Sequence, residues 1–103
     1  MKASVLLIAL LGVLATPAMA ADGAALYAEK TCHACHGKDG KTPLMPNYPK
    51  IAGQNVAYVE AQMKDIKSGA RANGGSKAMQ GVMHLVDDAQ IKAIAEYVAS
   101  LAP

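Results

Sequence analysis

The chain has 103 residues, which bounds it to a single domain. Ten Lys and Arg stand against eight Asp and Glu, a formal net charge of +2, without the basic stripe or patch that a nucleic-acid footprint needs. There is no Phe and no Trp, and the only aromatics are Tyr27, Tyr48, Tyr58 and Tyr97. A domain this small with so few large core side chains calls for a staple, a metal or a cofactor.

The N-terminus reads as a leader. Lys2 is followed by an uncharged run from Ala3 to Ala21, apolar throughout Val5 to Ala15. That apolar part matches the h-region of a secretory signal better than a span of about 20 residues across a bilayer. Pro17 breaks any helix, and Ala18-Met19-Ala20 offers the small-x-small pattern that signal peptidase cuts. The expectation is a cleaved signal peptide over 1–20 and a mature domain over 21–103. Export implies a periplasmic protein with no stable membrane association once the leader is gone. The mature chain carries nine basic and eight acidic residues, close to neutral.

Three helices are expected after the leader. The first takes Asp22 as N-cap and runs through Ala24 and Glu29 toward Cys32. The second follows Gly53 and covers Val56 to Ile66. Val56, Val59, Met63 and Ile66 make its apolar stripe, and Gly69 stops it. The third opens on Asp87-Asp88-Ala89-Gln90, a capping box with Asp in place of Ser or Thr. Its apolar face holds Ile91, Ile94, Ala95, Val98 and Leu101, and Pro103 closes it. No segment alternates as a strand does. Gly37 to Gly53, with Pro43, Pro46 and Pro49, and Ala70 to Leu85, with Gly74, Gly75 and Gly81, are expected as loops.

Between the first helix and the proline-rich loop lies Cys32-His33-Ala34-Cys35-His36, the C-x-x-C-H pattern of covalent haem c attachment. Two thiols three residues apart on a turn of helix can each add to one vinyl group of the same porphyrin. His36 then sits where its imidazole can ligate the iron from the proximal side. A zinc site needs two more Cys or His at suitable spacing, and only His33, His36 and His84 exist. A thioredoxin-like dithiol needs a βαβ context, and a plain disulfide leaves His36 without a role. His33, inside the motif, is expected to face solvent at the haem edge.

Four methionines follow the leader as candidates for the distal ligand. Met63 belongs to the second helix's apolar stripe. Met45 comes too soon after His36 to cross to the other haem face. Met79 and Met83 lie in the glycine-rich stretch before the last helix. Met79 is preferred, because eight residues before Asp87 leave more chain to cross the haem than the four after Met83. Met83 is the alternative and then packs against haem or core. His84 is the third candidate, best described as a surface histidine.

These residues resemble the small bacterial class I c-type cytochromes over nearly all of the mature chain. The match takes in Gly23 and Tyr27, Cys32 to Gly37 with Asp39-Gly40, and Pro46-Asn47-Tyr48-Pro49-Lys50-Ile51-Ala52-Gly53-Gln54. Tyr58, Gln62, Gly69, Met79-Gln80-Gly81 and Ile94-Ala95-Glu96-Tyr97 complete it. The resemblance implies an all-α fold wrapped around one haem c, with the first and last helices crossing at right angles where Gly23 and Tyr27 meet Ile94 and Tyr97. It implies that a proline carbonyl, Pro46 by preference over Pro43 and Pro49, accepts a hydrogen bond from the free ring nitrogen of His36. Tyr48 and Tyr58 are either near the propionates or core aromatics.

The function expected from this is one-electron transfer by a His/Met-ligated haem to redox partner proteins met transiently. Two other readings stay open: a permanent electron-entry subunit of an oxidase or dehydrogenase, and a five-coordinate haem that binds small ligands. The last lacks a distal His-Arg pair, since Arg71 is the only arginine.

Overall fold

The computed structural model describes residues 22–103; the expected leader and the processing point before Ala21 lie outside them. Five helices follow in order: α1 (Gly23–Glu29), α2 (Cys32–His36), α3 (Val56–Ser68), α4 (Ser76–Met83) and α5 (Asp88–Ser100). Among the described residues there is no strand, as the sequence pattern requires.

The expected caps form. The Asp22 carboxylate accepts from the backbone N–H of Ala24 at 3.0 Å and of Ala25 at 3.3 Å. Asp87 and Gln90 close a reciprocal capping box at the start of α5, at 2.8 and 3.0 Å. At α3 the cap is Asn55, whose side chain accepts from Tyr58 N–H. The helix runs two residues past Ile66 and ends at the expected Gly69. Helix α5 stops at Ser100, so Leu101 is its C-cap rather than part of its apolar face.

The first helix runs through Glu29 as expected and ends there, and Thr31 takes a left-handed backbone with φ 64° before α2 begins. A β-branched residue is strained there, by a cost on the order of 1–3 kcal/mol. The break lets α1 aim Leu26 and Tyr27 at one set of neighbours while α2 aims its own face at another. The stretch Ala70 to Leu85 is not free loop but carries α4. Three glycines obscure it in the sequence. Its packing signal is present nonetheless, for Met79, Val82, Met83 and Val86 recur at helical intervals and all line one cavity. That burial outweighs the roughly 1 kcal/mol that Gly81 costs inside a helix.

The core runs along α5. Ile91, Ala95 and Val98 are wholly buried, and Ile94 nearly so. On one side α5 meets α1 at very close range. A Cβ placed on Gly23 falls 2.7 Å from Tyr97 Cβ and collides with the Ala93 carbonyl oxygen. Glycine is therefore needed at 23 for the approach itself. The Tyr27 and Tyr97 rings tilt against each other at 58°, centroids 5.4 Å apart. The Tyr27 hydroxyl donates to Gly37 O at 2.6 Å, tying the crossing to the end of the motif helix. On its other side α5 packs on α3, which in turn packs on α4.

The proline-rich segment is held by backbone bonds rather than by regular structure. Leu44 N–H donates to Cys35 O, Ile51 and Ala52 N–H both to Gly40 O, and Gly53 N–H to Val98 O. Asp39 organises its first turn by accepting from Lys41 N–H, Thr42 N–H and Thr42 Oγ1. Those hydrogen bonds hold its carboxyl below the usual carboxylate range. Gly37, with φ 87°, turns the chain out of α2; any Cβ there collides with the Thr42 carbonyl.

Candidate haem-binding cavity

Helix α2 is little more than one turn long, yet it places three chemically distinct groups together. Cys32, Cys35 and His36 stand at i, i+3 and i+4, one face of a helix. All three line a single cavity of about 450 Å³, within the range of small-molecule sites. His33 and Ala34, on the opposite face, are exposed. His33 thus stands in solvent, where the sequence puts it.

His36 is buried, and its Nδ1 lies 2.9 Å from the carbonyl oxygen of Pro49. A carbonyl only accepts, so Nδ1 must carry the proton and donate. Nε2 then keeps its lone pair, which is the form of histidine that binds a metal. Held this way, the ring has its orientation set by its neighbour. The proline is Pro49, not Pro46. In the turn between them Tyr48 N–H bonds Met45 O, and it is the later proline's carbonyl that reaches the ring. The sequence shows three prolines in reach; only the folded turn distinguishes them.

Both cysteines are half-buried in the cavity wall. Burial, with the adjacent Cys35 adding to it, pushes the Cys32 thiol up to about 11. A thioredoxin-like dithiol needs a βαβ context, and the described residues carry no strand. Among the described residues no group of three or more His, Cys, Asp or Glu is placed to hold a metal ion.

The remaining walls are mostly apolar. Val59, Met63 and Ile66 come from α3, Ala78, Met79, Val82 and Met83 from α4, and Ile94 and Val98 from α5. Of the methionines, Met63 is core, as its stripe predicts, and Met45 is exposed. Met83 is among the largest fully buried side chains, at 2% exposure. Met79, one turn earlier on the same face of α4, is only partly buried. His84 caps α4 from an exposed position and does not line the cavity. Tyr48 and Tyr58 both line it. Tyr58 is 52% exposed, so it is a rim residue rather than a core aromatic. Gln62, Arg71 and Asn73 form a polar corner of the same rim, which no sequence pattern marks.

The donor set suits a haem: two thiols and one nitrogen ligand on one wall, thioethers on a helix across an apolar slot. The family model for cytochrome c matches residues 20–102. This chain belongs to the cytochrome c family. It is 41% identical to cytochrome c4 of Pseudomonas aeruginosa over 100 residues, covering 96% of this chain and 48% of that one. It is 39% identical to cytochrome c-554(548) of Halomonas halodenitrificans over 70 residues, 68% of this chain and 83% of that one. Among solved structures, a reduced recombinant cytochrome c4 of Pseudomonas stutzeri superposes with a TM-score of 0.70 and 30% identity, over 84% of this chain and 50% of that one. The chain spans about half the length of the cytochrome c4 relatives it matches.

The fold is thus the all-α class I cytochrome c fold, and its cofactor is covalently attached haem c. A cytochrome c domain is an electron-transfer unit, not an enzyme. No helix among the described residues is long and apolar enough to cross a membrane.

Proposed function

We propose that this protein is an exported, diffusing one-electron carrier whose single haem is bonded to Cys32 and Cys35 and ligated by His36 and Met79. The observation that carries this reading is the convergence of the motif face and the α4 methionines on one apolar cavity. When bound, the haem supplies a ferric/ferrous couple, and methionine opposite histidine raises its reduction potential.

The chain's own residues do the rest. Pro49 O keeps the proton on His36 Nδ1 and so presents Nε2 to the iron. Met79 is favoured over Met83 because Met83 is buried in the core at 2% exposure, whereas Met79 lines the cavity while only partly buried. The reason differs from the one the sequence suggests: α4 is a helix, so chain length before Asp87 no longer decides. Held by His36 and Met79 together, the haem would offer no open position to a substrate, and electrons would be exchanged at its edge during brief encounters with partner proteins. The leader expected over 1–20, and the mature domain over 21–103, make the periplasm its compartment.

Two variants test the ligand assignment. Met79→Ala should abolish the weak near-infrared sulfur-to-iron band of the oxidised protein and let the reduced protein bind carbon monoxide. Met83→Ala should keep the band and lose stability instead, by about 2–5 kcal/mol for a buried methionine. The reverse pattern transfers the ligand role to Met83. Rapid carbon monoxide binding by the unmodified reduced protein sinks the carrier reading in favour of a ligand-binding haem.

A further inference from the structure

The chain has three asparagines, Asn47, Asn55 and Asn73, and the structure sets the third apart. Asn73 is followed by Gly74 and Gly75, and all three are exposed where the turn before α4 meets the cavity rim. Gly74 has φ 55°, and a Cβ placed on it would meet nothing within 4 Å. Its N–H donates to no acceptor among the described residues. Asn73 Oδ1, by contrast, is engaged, for Arg71 Nε donates to it at 3.3 Å. The guanidinium is itself braced: Nη1 donates to Gln62 Oε1 at 3.0 Å, and Arg71 N–H donates to Asp65 O at 3.0 Å.

The other two asparagines lack this combination. Asn47 precedes Tyr48, whose N–H is already bonded to Met45 O. Asn55 precedes the β-branched Val56, and its Oδ1 caps α3 by accepting from Tyr58 N–H at 3.1 Å. At Asn73 a side-chain amide stands one residue from an unhindered, uncommitted backbone N–H, so the reacting groups are tethered together. A cation at the amide oxygen stabilises the negative charge that develops there during attack.

We propose that Asn73–Gly74 is a self-modification site, at which the Gly74 nitrogen attacks Asn73 Cγ and the side chain is deamidated. The N–Cγ bond forms and the Cγ–Nδ2 bond breaks. The amide leaves as ammonia, taking up the proton that Gly74 gives up. The cyclic imide then takes up one water. Opening at one carbonyl gives aspartate, and opening at the other gives isoaspartate, with the main chain rerouted through Cγ. No oxidation state changes, and water is the only co-reactant. The product carboxylate lies against Arg71, which has no counterion among the described residues, where Lys64 with Glu60 is the ion pair formed. The cavity is lined by Lys50 and Arg71 and, among the described residues, by no Asp or Glu, so the change gives its rim a first acidic group.

The test follows the purified holoprotein through storage in warm, mildly alkaline buffer, by ion exchange and peptide mass mapping. A single more acidic form should accumulate, heavier by the difference between a hydroxyl and an amino group. The change should map to Asn73, and its peptide should split into aspartate and isoaspartate products. Asn73→Gln should not form the acidic species, because its longer side chain closes a less favourable ring. Gly74→Ala should convert severalfold more slowly, since a methyl crowds the attacking nitrogen. Arg71→Gln should also convert severalfold more slowly, through loss of the cation at Oδ1. Circular dichroism first shows each variant to be as helical as the starting protein. Absence of the acidic form overturns the proposal, as does change at Asn47 or Asn55 as fast as at Asn73. An aspartate product without isoaspartate overturns it too, being the mark of direct hydrolysis. So does an Arg71→Gln rate equal to or above that of the starting protein.

Discussion

Where α1 meets α5, the protein closes on itself. Gly23 lies against Ala93 and Tyr97, Tyr27 tilts onto Tyr97, and the contact is filled by the chain's own atoms. One turn around the same helix, Ile94 and Val98 face a cavity of about 450 Å³. The two sides of α5 differ in what completes them. The α1 side is complementary to another helix, while the α3–α4 side is an apolar wall built around a guest. This division accounts for the odd composition. A chain without Phe or Trp can seal one crossing with glycine and tyrosine, but it cannot fill the second half of its interior.

The comparison can be broken most severely from the cavity side. Replacing both Cys32 and Cys35 with Ala should leave the domain largely unfolded, since nothing would anchor the guest that completes the core. A cooperative thermal transition in that variant, followed by circular dichroism, would show that the α1–α5 crossing holds the fold alone. On the other side, Gly23→Ala should destabilise the holoprotein by about 3 kcal/mol, because the added methyl meets backbone as well as Tyr97. Chemical denaturation measures it, and a loss below about 1 kcal/mol would mean that α1 slides freely along α5. Haem content should be unchanged in that variant, which keeps the two sides distinct.

A smaller effect sharpens the link between them. Tyr27→Phe removes the hydroxyl that bonds Gly37 O and should cost about 1 kcal/mol at neutral pH. Burial, with Cys32 and Tyr97 nearby, pushes the Tyr27 phenol from its ordinary 10.0 up to about 12. The folded state therefore holds this proton more tightly than the unfolded state does. The stability it contributes is fully present below pH 10 and is lost as pH rises toward 12. Denaturation midpoints over that window should fall more steeply for the unmodified protein than for Tyr27→Phe. Parallel slopes would show that the phenol titrates as freely in the fold as in the open chain.

Much of this molecule is legible locally. Asp22, Asp87 and Gln90 announce helix starts because capping is a matter of a few consecutive residues. Cys32, Cys35 and His36 share a face because their spacing matches a helical turn. The apolar stripe of α3 assigns Met63 to the core by its spacing alone. Helix α4 is hidden because its glycines argue against it one by one, while the burial that stabilises it depends on walls supplied by α3 and α5. Gln62, Arg71 and Asn73 give no signal, since a corner of three polar side chains from helix and loop has no periodicity.

The sequence by itself determined the helices with local caps, the attachment motif and the need for a large apolar guest, because each follows from neighbouring residues or from composition. Only the tertiary structure decided that Pro49 rather than Pro46 supports His36, and that Met79 and Met83 share one wall with only Met83 in the buried core. It alone left Arg71 without a counterion among the described residues. Those outcomes depend on which distant segments come within about 3 Å of one another, the reach of a hydrogen bond, and spacing along a chain carries no such distances.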